Sequence, residues 1–129
     1  MNFPKELRYT KTHEWARREG NRVTVGITDY AQKEISDVVF VELPKPGQLA
    51  QQAKPIAVVE SVKAAFDIYA PVSGKVTKSN PDLEGDPGRV NHECYGDGWF
   101  FEMEMNNDAE WQSLMTAEEY EKNIKQASH

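Results

Sequence analysis

The chain has 129 residues, of which 39% are hydrophobic and 28% are charged, a composition typical of one soluble globular domain. Its 21 acidic residues outnumber its 15 basic residues and give a net charge of −6, which argues against nucleic acid or an anionic membrane as a partner, because both attract basic surfaces. The single cysteine, Cys94, excludes an internal disulfide framework and is too little for a cysteine-rich metal site.

The N-terminal segment 1–6 lacks the apolar stretch of a signal peptide. No apolar run approaches the roughly 20 residues that a membrane-spanning helix requires. We therefore expect a cytoplasmic protein that does not interact with membranes. A mitochondrial matrix protein that had lost its transit peptide would look similar, but Met1 favours a complete bacterial chain.

Alternation of apolar and polar residues predicts a chain that is mainly β. The first helix is predicted to begin after a cap at Thr28 or Asp29 and to end at Ile35. The segment 80–88 is rich in turn-forming residues and predicts a surface loop. The predicted strands are 23–27, 37–43, 55–61, 65–70 and 99–105.

Two further helices are predicted near the C-terminus. Asp108 is a candidate N-cap for a helix over 109–115. Thr116 followed by Glu119 has the spacing of a capping box, which predicts a last helix through about Lys125.

The segment 56–70 predicts a β-hairpin if Val62 and Lys63 are the two central residues of its turn. Glu60 then pairs with Ala65, and Val58 pairs with Asp67. Because side chains alternate across a strand, the hairpin has one apolar face and one mixed face. The predicted core face carries Ala57, Val59, Phe66 and Ile68, and the other face carries Val58, Glu60, Ala65 and Asp67.

The turn itself lacks the Gly or Asn that two-residue hairpin loops prefer at positive φ. We therefore expect a type I turn whose tip protrudes, with Lys63 at the tip and small neighbours around it. By position alone, a lysine in a turn is usually a solvated charge. A protruding lysine is also what a modifying enzyme needs, because the whole side chain must enter its active site.

The segment 60–64 (ESVKA), followed by 67–74 (DIYAPVSG), closely resembles the lipoyl-lysine hairpin of the glycine cleavage system H-protein family. Further segments resemble other motifs of that family in the same order along the chain. Cys94 departs from the family, which commonly has proline at this position. The additional segments are 12–15 (THEW), 25–28 (VGIT), 39–47 (VFVELPKPG) and 95–99 (YGDGW).

The resemblance implies a fold, which is a barrel-sandwich hybrid of the lipoyl/biotinyl type with short helices. It implies one lipoyl-carrier domain over residues 1–129, with the hairpin at about 56–70 and C-terminal helices at about 108–125. We also expect a monomer.

The resemblance further implies that Lys63 is the attachment site of a covalent lipoate, and that the protein is a carrier rather than an enzyme. Its implied partners are the P-protein (glycine decarboxylase), the T-protein (aminomethyltransferase), the L-protein, which reoxidises the dithiol, and a lipoate ligase or lipoyl/octanoyl transferase. The residues implied in recognition around the lysine are Glu60, Ser61, Val62 and Ala64.

A lipoyl arm that carries an aminomethyl group is cationic and sensitive to water, so its protection calls for a cleft with a carboxylate. In the family, the positions that match Thr12, Glu14 and Asp67 are associated with this cleft. From the residues alone, each also has an ordinary interpretation. Thr12 fits a turn hydroxyl, Glu14 fits an exposed or half-exposed strand residue, and Asp67 fits a charge on the surface of a sheet.

Other functions fit the sequence less well or remain open. Lipoyl domains of 2-oxoacid dehydrogenases usually have Asp-Lys-Ala at the tip, and biotin carriers flank their lysine with methionines, whereas Val62 and Ala64 flank this one. No nucleophile–base pair or phosphate-binding motif indicates an enzyme. An H-like protein that supplies lipoyl groups to other complexes remains an alternative.

The histidines do not suggest a catalytic or metal site. His92 and His129 form no spaced cluster with Cys94 or with carboxylates, so we expect no metal ion. His13 is interpreted as a structural residue.

Overall fold

The computed structural model describes residues 1–127, which form nine strands and five short helices. The strands are β1 (Arg8–Tyr9), β2 (Glu14–Glu19), β3 (Arg22–Ile27), β4 (Val38–Glu42), β5 (Leu49–Ala50), β6 (Pro55–Ser61), β7 (Ala65–Tyr69), β8 (Gly74–Ser79) and β9 (Phe101–Met105). The helices are α1 (Asp29–Ile35), α2 (Asp82–Gly85), α3 (Arg89–His92), α4 (Asp108–Gln112) and α5 (Ala117–Ala127).

The strands form two antiparallel sheets that share one hydrophobic core. The larger sheet has the order β1-β2-β3-β9-β8-β5, and the smaller sheet has the order β4-β6-β7. In the smaller sheet β6 is central, while β4 and β7 are edge strands. The mainly β architecture with short helices and a C-terminal helix confirms the predicted fold class.

All five predicted strands are present, and four others escaped prediction. All four of the missed strands, β1, β2, β5 and β8, are short or rich in charged residues, so their apolar alternation is weak. In β2, for example, Arg17 and Arg18 place their guanidinium groups over the rings of Trp15 and Trp111. These long side chains cover aromatic surface while the charge reaches solvent, a packing mode that hydropathy does not reveal.

The helix predictions were confirmed at α1 and α5. Thr28 is the N-cap of α1, because its hydroxyl accepts the amide of Ala31 at 3.2 Å. At α5, the amide of Thr116 donates to the Glu119 carboxylate at 2.9 Å and the amide of Glu119 donates to the Thr116 hydroxyl at 3.3 Å, which is the predicted capping box.

Two other predictions were wrong. Asn107, not Asp108, caps α4, because its side chain accepts the Ala109 amide at 3.0 Å, while the Asp108 carboxylate pairs with Arg18 of β2. The helix ends at Gln112, three residues before the predicted end. The predicted loop 80–88 contains α2, which Leu83 anchors by inserting into the core with no exposed surface.

Helix α5 covers a second hydrophobic cluster on the outer side of β1 and β2. The Tyr9 and Tyr120 rings stack there at 4.8 Å. Gly26 of β3 allows the Trp15 indole to lie flat against the strand, since a Cβ at Gly26 would lie 2.6 Å from that ring. The cluster consists of Leu7, Tyr9, Trp15, Ala117, Tyr120 and Ile124.

Candidate functional site: a lysine at a hairpin tip beside an apolar pocket

The hairpin of β6 and β7 has the predicted register. Glu60 pairs with Ala65 and Val58 with Asp67. Across the turn, the amide of Ser61 donates to the Ala64 carbonyl at 2.9 Å. Neither central residue of the turn has a positive φ, so the primed turn types are excluded and the expected unprimed turn fits the backbone.

The predicted core face of the hairpin is correct except at Phe66. Ala57, Val59 and Ile68 are buried, whereas Phe66 remains 37% exposed although it pairs with buried Val59. Strand β7 is an edge strand, so Phe66 has a neighbouring strand on one side only. Its ring instead forms part of the wall of a surface pocket.

Lys63 lies at the tip of this hairpin with an exposed side chain. Its ammonium Nζ donates to the backbone carbonyl of Glu34 at 2.9 Å. Glu34 belongs to the last turn of α1, where carbonyls lack intrahelical partners and favour cations. The lysine therefore leans from the turn towards the C-terminal end of α1.

The pocket beside α1 and β7 has a volume of about 270 Å³. Most of its wall is apolar, and a few polar groups interrupt it, as is usual in ligand sites. Thr12 and Asp67 both line this pocket, and Glu34 connects it to the Lys63 ammonium. The remaining lining residues are His13, Ile27, Tyr30, Ala31, Ile35, Val59, Phe66 and Ile68.

Glu14 lies behind the pocket wall and has no exposed surface, so the expectation of an exposed or half-exposed carboxylate was wrong. Its carboxylate accepts the hydroxyls of Thr10 and Thr12, each at 2.5 Å, and the amide of Tyr69 at 3.1 Å. Burial raises the pKa of Glu14, while these hydrogen bonds favour its ionised form. The sequence could not reveal this burial, because the Tyr69 amide comes from a strand 55 residues away.

His13 lines the pocket and is held by a hydrogen-bonded chain that reaches the C-terminal helix. Its Nδ1 lies 2.8 Å from the Tyr120 hydroxyl, which lies 2.7 Å from the Thr28 hydroxyl. The Thr28 hydroxyl also accepts the Ala31 amide at 3.2 Å, so this chain of contacts reaches the first turn of α1. Burial lowers the pKa of His13, which favours the neutral form of its ring.

The residues expected to surround the lysine divide into two groups. Glu60, Val62 and Ala64 are exposed, whereas Ser61 is buried. The Ser61 hydroxyl accepts the amide of Lys63 at 3.1 Å and fixes the turn from inside.

Within residues 1–127, no group of three or more His, Cys, Asp and Glu side chains is arranged to hold a metal ion. His129 lies outside the described residues. None of the described helices is both long enough and apolar enough to cross a membrane.

Comparison with known proteins gives a consistent result. The sequence profile of the family described as "Glycine cleavage H-protein" matches residues 7–127. The glycine cleavage system H protein of Psychrobacter cryohalolentis is 52% identical over 124 residues, which cover 95% of this chain and 98% of that protein. The H protein of Thermus thermophilus is 50% identical over 121 residues, which cover 94% of each chain.

A solved structure supports the fold as well as the sequence relationship. The crystal structure of a glycine cleavage system H protein from Mycobacterium marinum superposes with a TM-score of 0.84 and 31% sequence identity. The alignment covers 95% of this chain and 99% of that chain. By sequence profile, by curated bacterial relatives and by structure, this chain belongs to the glycine cleavage H-protein family.

Proposed function

We propose that the whole chain is a single lipoyl-carrier domain, and that it acts as the non-catalytic carrier of the glycine cleavage system. It receives the aminomethyl group at the P-protein, delivers it to the T-protein and passes electrons to the L-protein. The observation that carries this proposal is the placement of Lys63. Its Nζ donates a hydrogen bond to the carbonyl of Glu34, and Glu34 lines an apolar pocket. An arm attached at Nζ starts at the mouth of that pocket.

The hairpin suits the attachment of lipoate through an amide. Lys63 is exposed at a tip fixed by Ser61, so an enzyme can take up the side chain without disturbing the core. Lipoate attached there would supply a disulfide that takes up the one-carbon unit on one sulfur, and after that unit is transferred the arm would remain on Lys63 as a dithiol. A tether of this kind raises the effective concentration of its end at each partner's active site.

The pocket suits a loaded arm better than an empty one. Its walls are mostly apolar, and Asp67 and Thr12 place oxygen acceptors at its surface. A carboxylate that accepts a hydrogen bond from an ammonium forms a charge-assisted contact. Asp67 is therefore the group that we expect to contact the cationic end of the loaded arm directly.

Glu14 acts on the same site indirectly. It does not line the pocket, but it accepts the hydroxyl of Thr12, which does. Its negative charge orients the Thr12 hydroxyl so that the hydroxyl oxygen is left free to accept a hydrogen bond. We propose that Glu14 is a positioning residue for the pocket wall and not a direct contact of the ammonium.

The proposal is tested by reconstitution with the P-, T- and L-proteins, with glycine-dependent NADH formation as the readout. Lipoylated wild type supports turnover, Lys63→Arg supports none, and Lys75→Arg on β8 behaves as wild type, because that exposed lysine is far from the hairpin. Turnover with Lys63→Arg would contradict the proposal.

The pocket is tested in the same preparation with the T-protein left out. Asp67→Asn is expected to release formaldehyde and ammonia from the loaded arm about 10- to 100-fold faster, since a hydrogen bond to a charged group contributes roughly 1.5–3 kcal/mol. Asp82→Asn in α2 serves as the matched control. Equal release from both variants would exclude a role for Asp67.

A further inference from the structure

Exposed large apolar side chains concentrate on the smaller sheet. Of the six such side chains among residues 1–127, four belong to β4, to β7 or to the hairpin turn. Phe66 is exposed because it lines the pocket, and Val62 is exposed because it lies in the hairpin turn. Val39 and Phe40 of β4 are 53% and 52% exposed and line none of the pockets described.

A β-bulge creates this exposure. Val38 pairs with Ser61 and Phe40 with Glu60, so Val39 is the extra residue and lies, with Phe40, opposite Glu60. A bulge changes the direction of the side chains around it and increases the local twist of the strand. Val39, Phe40, Glu60 and Ala65 form an exposed surface on the outer face of the sheet, here called the bulge patch.

Strand β4 contacts the core through other residues than those of the patch. Val38 and Val41 bury their side chains there, whereas Val39 and Phe40 do not. Exposed apolar side chains on an edge strand favour unwanted association, so proteins retain them where a partner covers them. Val39 and Phe40 of the bulge patch belong to the segment 39–47, one of the motifs in the sequence that the carrier chemistry leaves unexplained.

The charges around the patch indicate what kind of surface covers it. The three strands and the turn of the smaller sheet carry three carboxylates, Glu42, Glu60 and Asp67, and a single base, Lys63. Asp37 lies directly before β4 and adds a fourth carboxylate, whereas Lys54, directly before β6, adds a second base at the end of β6 opposite to the turn. An apolar surface with an acidic border is complementary to an apolar depression with Lys or Arg at its rim.

The position of Lys63 indicates which partner covers the bulge patch. Strand β4 pairs with β6, whose last residue leads directly into the turn. An enzyme that acts on the unmodified lysine must bring its active site to within the length of the lysine side chain from the turn. Its surface must therefore contact the sheet beside the turn. Enzymes that act on the far end of the completed arm can remain at a distance.

We infer that the bulge patch is the docking surface for the enzyme that attaches the lipoyl group to Lys63, and that this enzyme presents an apolar depression bordered by basic side chains. The inference rests on the proposed function. In the reaction, Nζ as a free amine attacks the carbonyl carbon of a lipoyl adenylate made from lipoate and ATP. An amide bond forms, AMP leaves with the electrons of the broken carbonyl–oxygen bond, and the amine loses a proton.

The test measures initial rates of lipoyl transfer by intact mass, with a lipoate ligase, lipoate, ATP and the unmodified protein. We expect the double variant Val39→Ser/Phe40→Ser to lose about tenfold in kcat/KM through a higher KM, equivalent to roughly 1.4 kcal/mol. The matched control is Leu49→Ser, which replaces an apolar residue that is 77% exposed on β5 of the other sheet.

A pair of single variants tests the charge of the partner and does not depend on the double variant folding. Phe40→Lys and Phe40→Glu both remove the ring at an exposed position, but a basic rim repels only the lysine. The inference predicts a higher KM for Phe40→Lys than for Phe40→Glu. Equal KM values in all variants and wild type would overturn it.

Two other outcomes would point to failure of the proposed function or to self-association of the chain. Wild type that gains no lipoyl mass would refute the proposed function itself, whatever the variants do. A wild type that dimerises in sedimentation, with a monomeric double variant that is lipoylated at the normal rate, would assign the patch to self-association and overturn the inference.

Discussion

Glu14 joins two segments that the chain separates widely. Its carboxylate binds the hydroxyls of Thr10 and Thr12 on one side and the amide of Tyr69 on β7 on the other. All three partners are donors, so the arrangement suits an ionised carboxylate rather than an amide or a protonated acid. The side chain therefore fixes the edge of the hairpin to the segment that lines the pocket.

Glu14→Gln is expected to lower the free energy of unfolding by about 1–3 kcal/mol, because the glutamine NH₂ group would face a donor and leave a buried group unpaired. Urea unfolding monitored by circular dichroism measures the change. Glu118→Gln at an exposed position of α5 is the control. Equal stability of the two variants would show that the buried hydrogen bonds do not depend on the carboxylate.

His13 makes stability depend on pH with a defined sign. Burial lowers its pKa from 6.5, with the Glu34 charge acting in the opposite direction. The folded state therefore binds a proton less readily than the unfolded state, and the free energy of unfolding decreases as pH falls through 6.5. His13 also has a φ of 75°, a conformation that Asn tolerates better than most residues.

His13→Asn is expected to lose less stability than wild type when pH is lowered from about 8 to about 5.5, because the group that resists protonation is gone. Thermal unfolding at a series of pH values gives the slope. His92→Asn, at an exposed position of α3, should keep the wild-type slope. A wild-type slope in His13→Asn would assign the pH dependence to other groups.

At the scale of elements, α5 does more than cover the second cluster. Its Tyr120 hydroxyl joins His13 of the pocket to Thr28, the N-cap of α1, and α1 in turn presents the Glu34 carbonyl to Lys63. The C-terminal helix and the pocket wall thus share one buried hydrogen-bonded chain. Loss of the Tyr120 hydrogen bonds should therefore lower the local stability of α1.

Tyr120→Phe keeps the ring stack with Tyr9 and removes only the hydroxyl. We expect a loss of about 1–3 kcal/mol in the free energy of unfolding, because the His13 nitrogen and the Thr28 hydroxyl lose a buried partner. Hydrogen exchange at the amides of α1 should also become faster in this variant. Glu121→Gln, which removes only an exposed ion pair with Lys125 on the same helix, should change neither.

The sequence could predict those elements whose signals are local. The hairpin register follows once Val62 and Lys63 are taken as the two central residues of the turn, and the capping residues of α1 and α5 lie within three residues of the groups that they bind. The exposure of Phe66 could not be predicted, because alternation gives the face of a strand but not whether a neighbour covers it. The pocket wall depends on contacts such as His13–Tyr120, which join residues 107 positions apart.

For the whole molecule, the charge of −6 and the acidic border of the smaller sheet predict partners with basic surfaces. In the proposed function, attachment of lipoate to Lys63 would replace an ammonium with a neutral amide and take the formal charge from −6 to −7. It also replaces the charged group that now caps α1 at the Glu34 carbonyl. The completed carrier is therefore more acidic around its hairpin than the unmodified chain.

Encounters that depend on this charge should be sensitive to salt. We expect the KM of the P-protein for the lipoylated carrier to rise severalfold between about 0.05 and 0.3 M ionic strength, while kcat changes little, because screening weakens association between exposed charges. Steady-state kinetics of the glycine-dependent reaction measure both constants. The KM for glycine, which has no net charge, is the control, and a salt-independent carrier KM would rule out electrostatic docking.

The carrier site is tested most directly by the intact mass of the protein after incubation with lipoate, ATP and a lipoate ligase, followed by peptide mapping. We expect wild type and Lys75→Arg each to gain one lipoyl group at Lys63, and folded Lys63→Arg to gain none. Lipoyl mass on Lys63→Arg, or on any other lysine of the wild type, would contradict the assignment of the hairpin tip as the carrier site.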